Sequence, residues 1–139
     1  MDKKYQIFIS STYEDLKEER KKAIEAILTM NYFPVGMEMF SAADDEQWEI
    51  IRETIDVSDY YVLIVGNKYG SIIQDGEDAG ISYTEKEFRY ALKQGIPILA
   101  FVIADDATNH HSYHENDPNK VYELALFKQA VKTGRLVKF

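Results

Sequence analysis

Residues 80–102 read GISYTEKEFRYALKQGIPILAFV. Ser82 followed three residues later by Glu85 is a helix-start pattern, in which each side chain can satisfy a free backbone donor of the other. Phe88, Ala91 and Leu92 then recur at helical spacing, and Gly95 supplies a left-handed stop. Pro97 turns the chain out. ILAFV is an unbroken apolar run of the right length for a fully buried strand. A capped helix feeding a core strand is half of a β-α-β unit.

Upstream, the pattern repeats. YQIFI at 5–9 reads as a strand, and Thr12 with Asp15 is a candidate cap for a helix from about Tyr13 to Met30. Leu16, Ala23, Ile24 and Ile27 form its inner face, while Lys17, Glu18, Lys21, Lys22 and Glu25 face water. FPVGM at 33–37 is a short strand, followed by an acidic helix start at Asp44–Glu46 and a helix marked by Trp48, Ile51 and Ile55 that ends near Ser58. YYVLIV at 60–65 is the plainest strand of the chain. Downstream, Pro118 suits the first turn of a last helix with Val121, Leu124, Ala125, Lys128 and Val131 on one face, and RLVKF can form a final short strand.

Strands alternating with helices require crossovers, and crossovers give parallel neighbours. The expected fold is therefore α/β: a flavodoxin-like three-layer sandwich around a central parallel sheet of four to five strands, in the order 2-1-3-4 with a possible fifth. At 139 residues the chain is expected to be a single domain. It has no cysteine, which excludes disulfides and thiolate metal sites and fits a cytoplasmic address. Sixteen Lys and Arg against 24 Asp and Glu give a net charge of −8, which disfavours nucleic acid or anionic lipid as partner. No run is long enough to span a membrane.

In such sheets ligands bind beyond the carboxyl ends of the strands, where the strand order switches. That rule gathers Ser10, Ser11 and Thr12, the segment from Glu38 to Phe40, the loop from Gly66 to Ser71, and the start of the helix carrying Glu87. Ser10, Ser11 and Thr12 suit a phosphate or a ribose at a helix N-terminus, or simple capping. GNKYGS at 66–71 offers amides and Lys68 for phosphate and Tyr69 for stacking on a base, or a glycine turn with a core-facing tyrosine. His110, His111 and His114 lack a strong fourth ligand and read as a solvated loop, so no metal site is expected. Periodicity alone does not choose between Glu85 and Glu87. Glu85 already has a capping role, whereas Glu87, on the other shoulder of the stripe, has no structural partner in the sequence and is either a candidate site carboxylate or simply exposed.

FISSTYEDLKEER, FPVGMEMF, SDYYVLIVGNKYGSI, GISYTEKEFRYAL and GIPILAF, in that order, resemble the TIR-like domain of unknown function that opens many multidomain proteins. The wider superfamily includes TIR domains and nucleoside deoxyribosyltransferases. The resemblance implies a TIR-like domain over residues 1–139, the N-terminal part of a longer defence or signalling protein. It implies a catalytic role for Glu87, whose Glu-x-x-x-Ala then Gly-x-Pro spacing is similar to the transferase pattern. Ser82 resembles the serine preceding the TIR glutamate. The tryptophan and cysteine common before that glutamate are replaced by Thr84 and its neighbours, and the extra aspartate and asparagine of the transferase site are not found.

The activity so implied is NAD glycohydrolysis: a carboxylate opposes the charge that builds on the ribose, phosphates rest near Ser10–Thr12 and Lys68, and Tyr69 or Phe40 stacks on a ring. NAD would be substrate or ligand, with no cofactor. A non-catalytic interaction module is the alternative, and nucleoside or nucleotide N-ribosyl transfer a second. Self-association is expected too, because the long loop from Gly66 to Gly80 looks open enough to need a neighbour.

Overall fold

The structure is a computed structural model, and it describes residues 3–13, 15–36, 45–103, 115–134 and 136–138. Among these residues five strands and four helices alternate: β1 (Gln6–Ser10), α1 (Lys17–Thr29), β2 (Phe33–Gly36), α2 (Asp45–Asp56), β3 (Tyr60–Val65), α3 (Tyr83–Gln94), β4 (Ile98–Val102), α4 (Pro118–Gly134) and β5 (Leu136–Lys138). All strand pairs are parallel and the order is β2-β1-β3-β4-β5. This is the expected flavodoxin-like order, with Leu136–Lys138 supplying the fifth strand at the edge.

The pleat sorts the core into two faces. Phe8, Tyr61, Leu63, Val65, Ile98, Ala100 and Val102 pack with Ile51 and Ile55 of α2, Phe88 and Ala91 of α3, and Leu124, Phe127 and Val131 of α4. Ile7, Ile9 and Ile64 pack on the other face with Leu16 and Ile27 of α1. Among the described residues three helices cover one face and one helix the other, and Phe101 and Tyr60 retain 38% and 41% of their surface. A shallow apolar groove of about 470 Å³ runs beside α1 between Ala23, Ile27, Val62, Leu99 and Phe101.

Several boundaries differ from the sequence reading for local reasons. Helix α1 starts at Lys17, not Tyr13, because Thr12 spends its hydroxyl on the Asp15 carboxylate rather than on a backbone amide. The cap position falls on Leu16, which makes no side-chain cap bond. α2 ends at Asp56, short of Ser58. On α4 the buried positions are Leu124, Phe127, Lys128 and Val131, whereas Val121 and Ala125 are exposed. Gly95 ends α3 at φ 75°, in the left-handed region as expected.

The 66–80 loop is tied to itself rather than open. Ile72 and Ser82 form an antiparallel bridge, Ile73 N–H donates to Ile81 O at 2.9 Å, and Tyr83 N–H donates to Ser71 O at 3.1 Å. Gly66, at its start, has no room for a side chain: a Cβ there would lie 2.8 Å from Asp15 Oδ2 and 2.9 Å from Leu16 Cδ2.

Candidate functional site

Ser10 ends β1 on the same face as Phe8, two residues earlier, and therefore points toward α3. Its hydroxyl donates to Glu87 Oε1 at 2.7 Å, joining residues 77 positions apart in sequence. Glu87 is not the partnerless shoulder carboxylate that its sequence position suggested. The residue keeps some accessible surface, but its carboxyl group is enclosed, and burial pushes it up from 4.5 to about 7. The Ser10 hydrogen bond and the charge of Arg20 act in the opposite direction and do not offset the burial.

Two more buried groups surround this pair. Arg20, 1% exposed, donates to Ser11 Oγ at 2.9 Å and to Ile9 O at 3.4 Å. Tyr61, fully buried and stacked on Phe8, carries its hydroxyl near both Ser10 and Glu87. Ser10 is within its reach, but no hydrogen bond of good geometry forms, and the hydroxyl has no partner among the described residues. Burial, and then the nearby Glu87, hold the Tyr61 phenol well above its ordinary range.

Above this cluster lies a crevice of about 630 Å³ at the carboxyl ends of β1 and β3. Ser11, Thr12, Asp15, Lys68, Thr84 and Lys120 are among its lining residues, and Glu87 is not. Glu87 lies one helical turn beyond Thr84 on α3, and its partner Ser10 is the chain neighbour of Ser11. Asp15 in the crevice wall is 6% exposed; Thr12 donates to its Oδ1, and Oδ2 has no partner among the described residues. Burial raises its pKa, against the lowering effects of Thr12 and Lys68.

The other sequence candidates separate. Ser10 meets Glu87, and Ser11, Thr12 and Lys68 line the crevice. Ser82 is fully buried and acts as the cap of α3, its Oγ accepting from Glu85 N–H at 3.1 Å. The reciprocal half of that capping box is not made. Glu85 is buried and instead accepts from the Tyr69 hydroxyl at 2.6 Å and from Arg89. Tyr69 is 1% exposed, with its ring against Phe127, so it presents no face to the crevice. Burial and the bond to Glu85 push its phenol up to about 12. Phe40, His110, His111 and His114 lie outside the described residues. No cluster of three metal-binding side chains occurs among the described residues, and no described helix is long and apolar enough to cross a membrane.

Arg20, Asp15, Tyr61 and Lys120 were missed. Arg20 had a signal: Leu16, Arg20, Ala23 and Ile27 continue one helical stripe, which puts the arginine on the buried face. Tyr61 and Lys120 had none, since a strand aromatic and a helix lysine are ordinary.

A parallel sheet with a buried glutamate near a polar crevice at its strand-order switch defines an α/β domain of flavodoxin-like topology. Within that class the chain belongs to the DUF4062 family, a domain of unknown function, whose family model matches residues 6–139. Among solved structures, the chain is similar to a Clostridium botulinum CMP N-glycosidase, BcmB, at 14% identity and TM-score 0.46, covering 96% of this chain and 85% of that one. It is also similar to a prokaryotic SEFIR domain, at 10% identity and TM-score 0.46, covering 89% and 90%. No curated protein matches the sequence.

Proposed function

We propose that this domain is a TIR-like module that cleaves the N-ribosyl bond of NAD or a related nucleotide. The observation that carries the reading is Glu87: a single enclosed carboxylate held by Ser10 beneath the crevice at the sheet's switch point. In NAD the nicotinamide is already cationic. It leaves with the electron pair of the C–N bond, water supplies the new C1′–O bond and loses a proton, and ADP-ribose remains. The barrier is the positive charge on the ribose, which an ionised Glu87 opposes in an enclosed setting.

A ligand hydroxyl taking over the bond that Ser10 now makes would open Glu87 to the crevice. Ser11 and Thr12 then face the ribose, and Lys68 a phosphate. Because the carboxyl titrates at about 7 in the free domain, activity is expected to rise as pH climbs through that value. N-ribosyl transfer would use the same bond with another acceptor. The domain would act in the cytoplasm as the first part of a longer defence or signalling chain.

One observation favours a non-catalytic interaction module instead: Glu87 is hydrogen-bonded to Ser10 and absent from the crevice lining. The deciding experiment is nicotinamide release from NAD by the domain and by the assembled full-length protein, with Glu87→Gln beside each. Release that falls by about a hundredfold in the variant supports the cleavage reading. Release unaffected by the variant, or no release from any assembled form, leaves the interaction module.

A further inference from the structure

The crevice holds two lysines from separate elements. Lys68 comes from the loop after β3, and Lys120 from the first turn of α4. Both are half-buried. Neither is in an ion pair among the described residues, although acids outnumber bases by 24 to 16 along the chain. Arg52, Lys86 and Arg89, by contrast, all sit on carboxylates.

Lys120 lies in the first turn of α4, behind an N-terminus where Asp117 Oδ1 accepts from Asn119 N–H at 2.9 Å, and it lines the crevice. Of the crevice carboxylates, Glu115 is engaged through both oxygens and Asp15 through Oδ1 alone. Glu115 accepts from the backbone N–H groups of Tyr69 at 3.2 Å and Asp117 at 3.4 Å, and Asp15 accepts from Thr12. Asp15 is close enough to feel the charge of Lys68 but forms no ion pair with it.

We propose that Lys68 and Lys120 form a phosphate subsite on the crevice wall, which makes phosphorylated nucleotides, rather than free nucleosides, the ligand class of this site. The inference rests on the nucleotide reading of the crevice and adds a residue and a selectivity to it. A diphosphate bridge brings two negative charges to two ammonium groups that form no ion pair among the described residues. The ribose then lies toward Thr12 and Ser11, above Glu87.

The test is calorimetric titration of the full chain with ADP-ribose, adenosine and pyrophosphate. ADP-ribose should bind, pyrophosphate should displace it, and adenosine should bind at least about tenfold more weakly, the scale of one charge-assisted contact. Lys120→Gln and Lys68→Gln should each weaken ADP-ribose about tenfold without changing adenosine or the melting temperature, while Lys120→Arg retains binding. Lys93→Gln, an exposed lysine at the far end of α3, should have no effect.

Equal affinity for adenosine and ADP-ribose, no binding of either, or an equal loss in Lys93→Gln overturns the subsite. Nicotinamide release is scored separately. Phosphate-selective binding without release removes the cleavage reading and leaves the subsite. Release unchanged in the Lys68→Gln and Lys120→Gln variants removes the subsite and leaves cleavage.

Discussion

Replacing Glu87 with Gln should raise the stability of the free domain above neutral pH, and by an amount that depends on pH. Burial holds the native carboxyl at about 7 against an ordinary value of 4.5. Below pH 4.5 the group is protonated in both native and unfolded chains, so wild type and variant should melt together. Between 4.5 and 7 the unfolded chain ionises while the native one keeps its proton, so wild-type stability falls as pH rises.

Above 7 the loss is complete. At about 1.4 kcal/mol per unit, it amounts to roughly 3 kcal/mol, an upper bound because Glu87 keeps some accessible surface. Gln never titrates and can still accept from Ser10. The variant should therefore melt roughly 5–10 °C above wild type at pH 8 and within about 1 °C of it at pH 4. Thermal melts followed by circular dichroism across that range measure the difference directly. A flat difference, or a variant less stable at pH 8, would refute the enclosure of this carboxyl.

Tyr61→Phe removes a buried hydroxyl that lacks a partner and should leave the melting temperature unchanged or raise stability by up to about 1 kcal/mol; a loss above about 2 kcal/mol would mean that the hydroxyl is bonded. Gly66→Ala forces a Cβ against Asp15 and Leu16 and should destabilise by about 1–3 kcal/mol in urea titration, with no loss arguing that α1 shifts freely. Glu85→Gln weakens the bonds from Tyr69 and Arg89 and should lower stability by about 1–2 kcal/mol, whereas an unchanged urea midpoint would show that the charge is idle there.

The topology was readable because apolar periodicity and breakers agree along nearly the whole chain. Ser82, Gly95 and the ILAFV run place α3 and β4 to the residue. Alternation in the YQIFI and YYVLIV segments carries no information about which polar groups meet across the layers, and there the reading stopped. Glu85 and Glu87 flank the same stripe, but their partners, Tyr69 and Ser10, come from a loop and a strand end that only the folded sheet brings near. Tyr69 shows the same limit from the other side: a tyrosine in a glycine-rich loop suits a ligand ring as well as a core, and burial decided for the core. At Thr12 the competitor was local. The side chain of Asp15 captured the hydroxyl expected to cap α1, and the helix began later.

The hydrogen bond from Ser10 to Glu87 spans 77 residues in a sheet that contains no hairpin within its named strands. Each pairing of β1 with β3 or of β3 with β4 closes a loop of dozens of residues before any ladder forms, so assembly should be slow for a chain of this length. The enclosed carboxyl exists only once β1, β3 and α3 have all docked. A chain emerging from synthesis, or an intermediate that lacks β1, therefore carries Glu87 as an ordinary surface acid with an ordinary titration. The appearance of the shifted titration during refolding would time the docking of β1, β3 and α3 against one another.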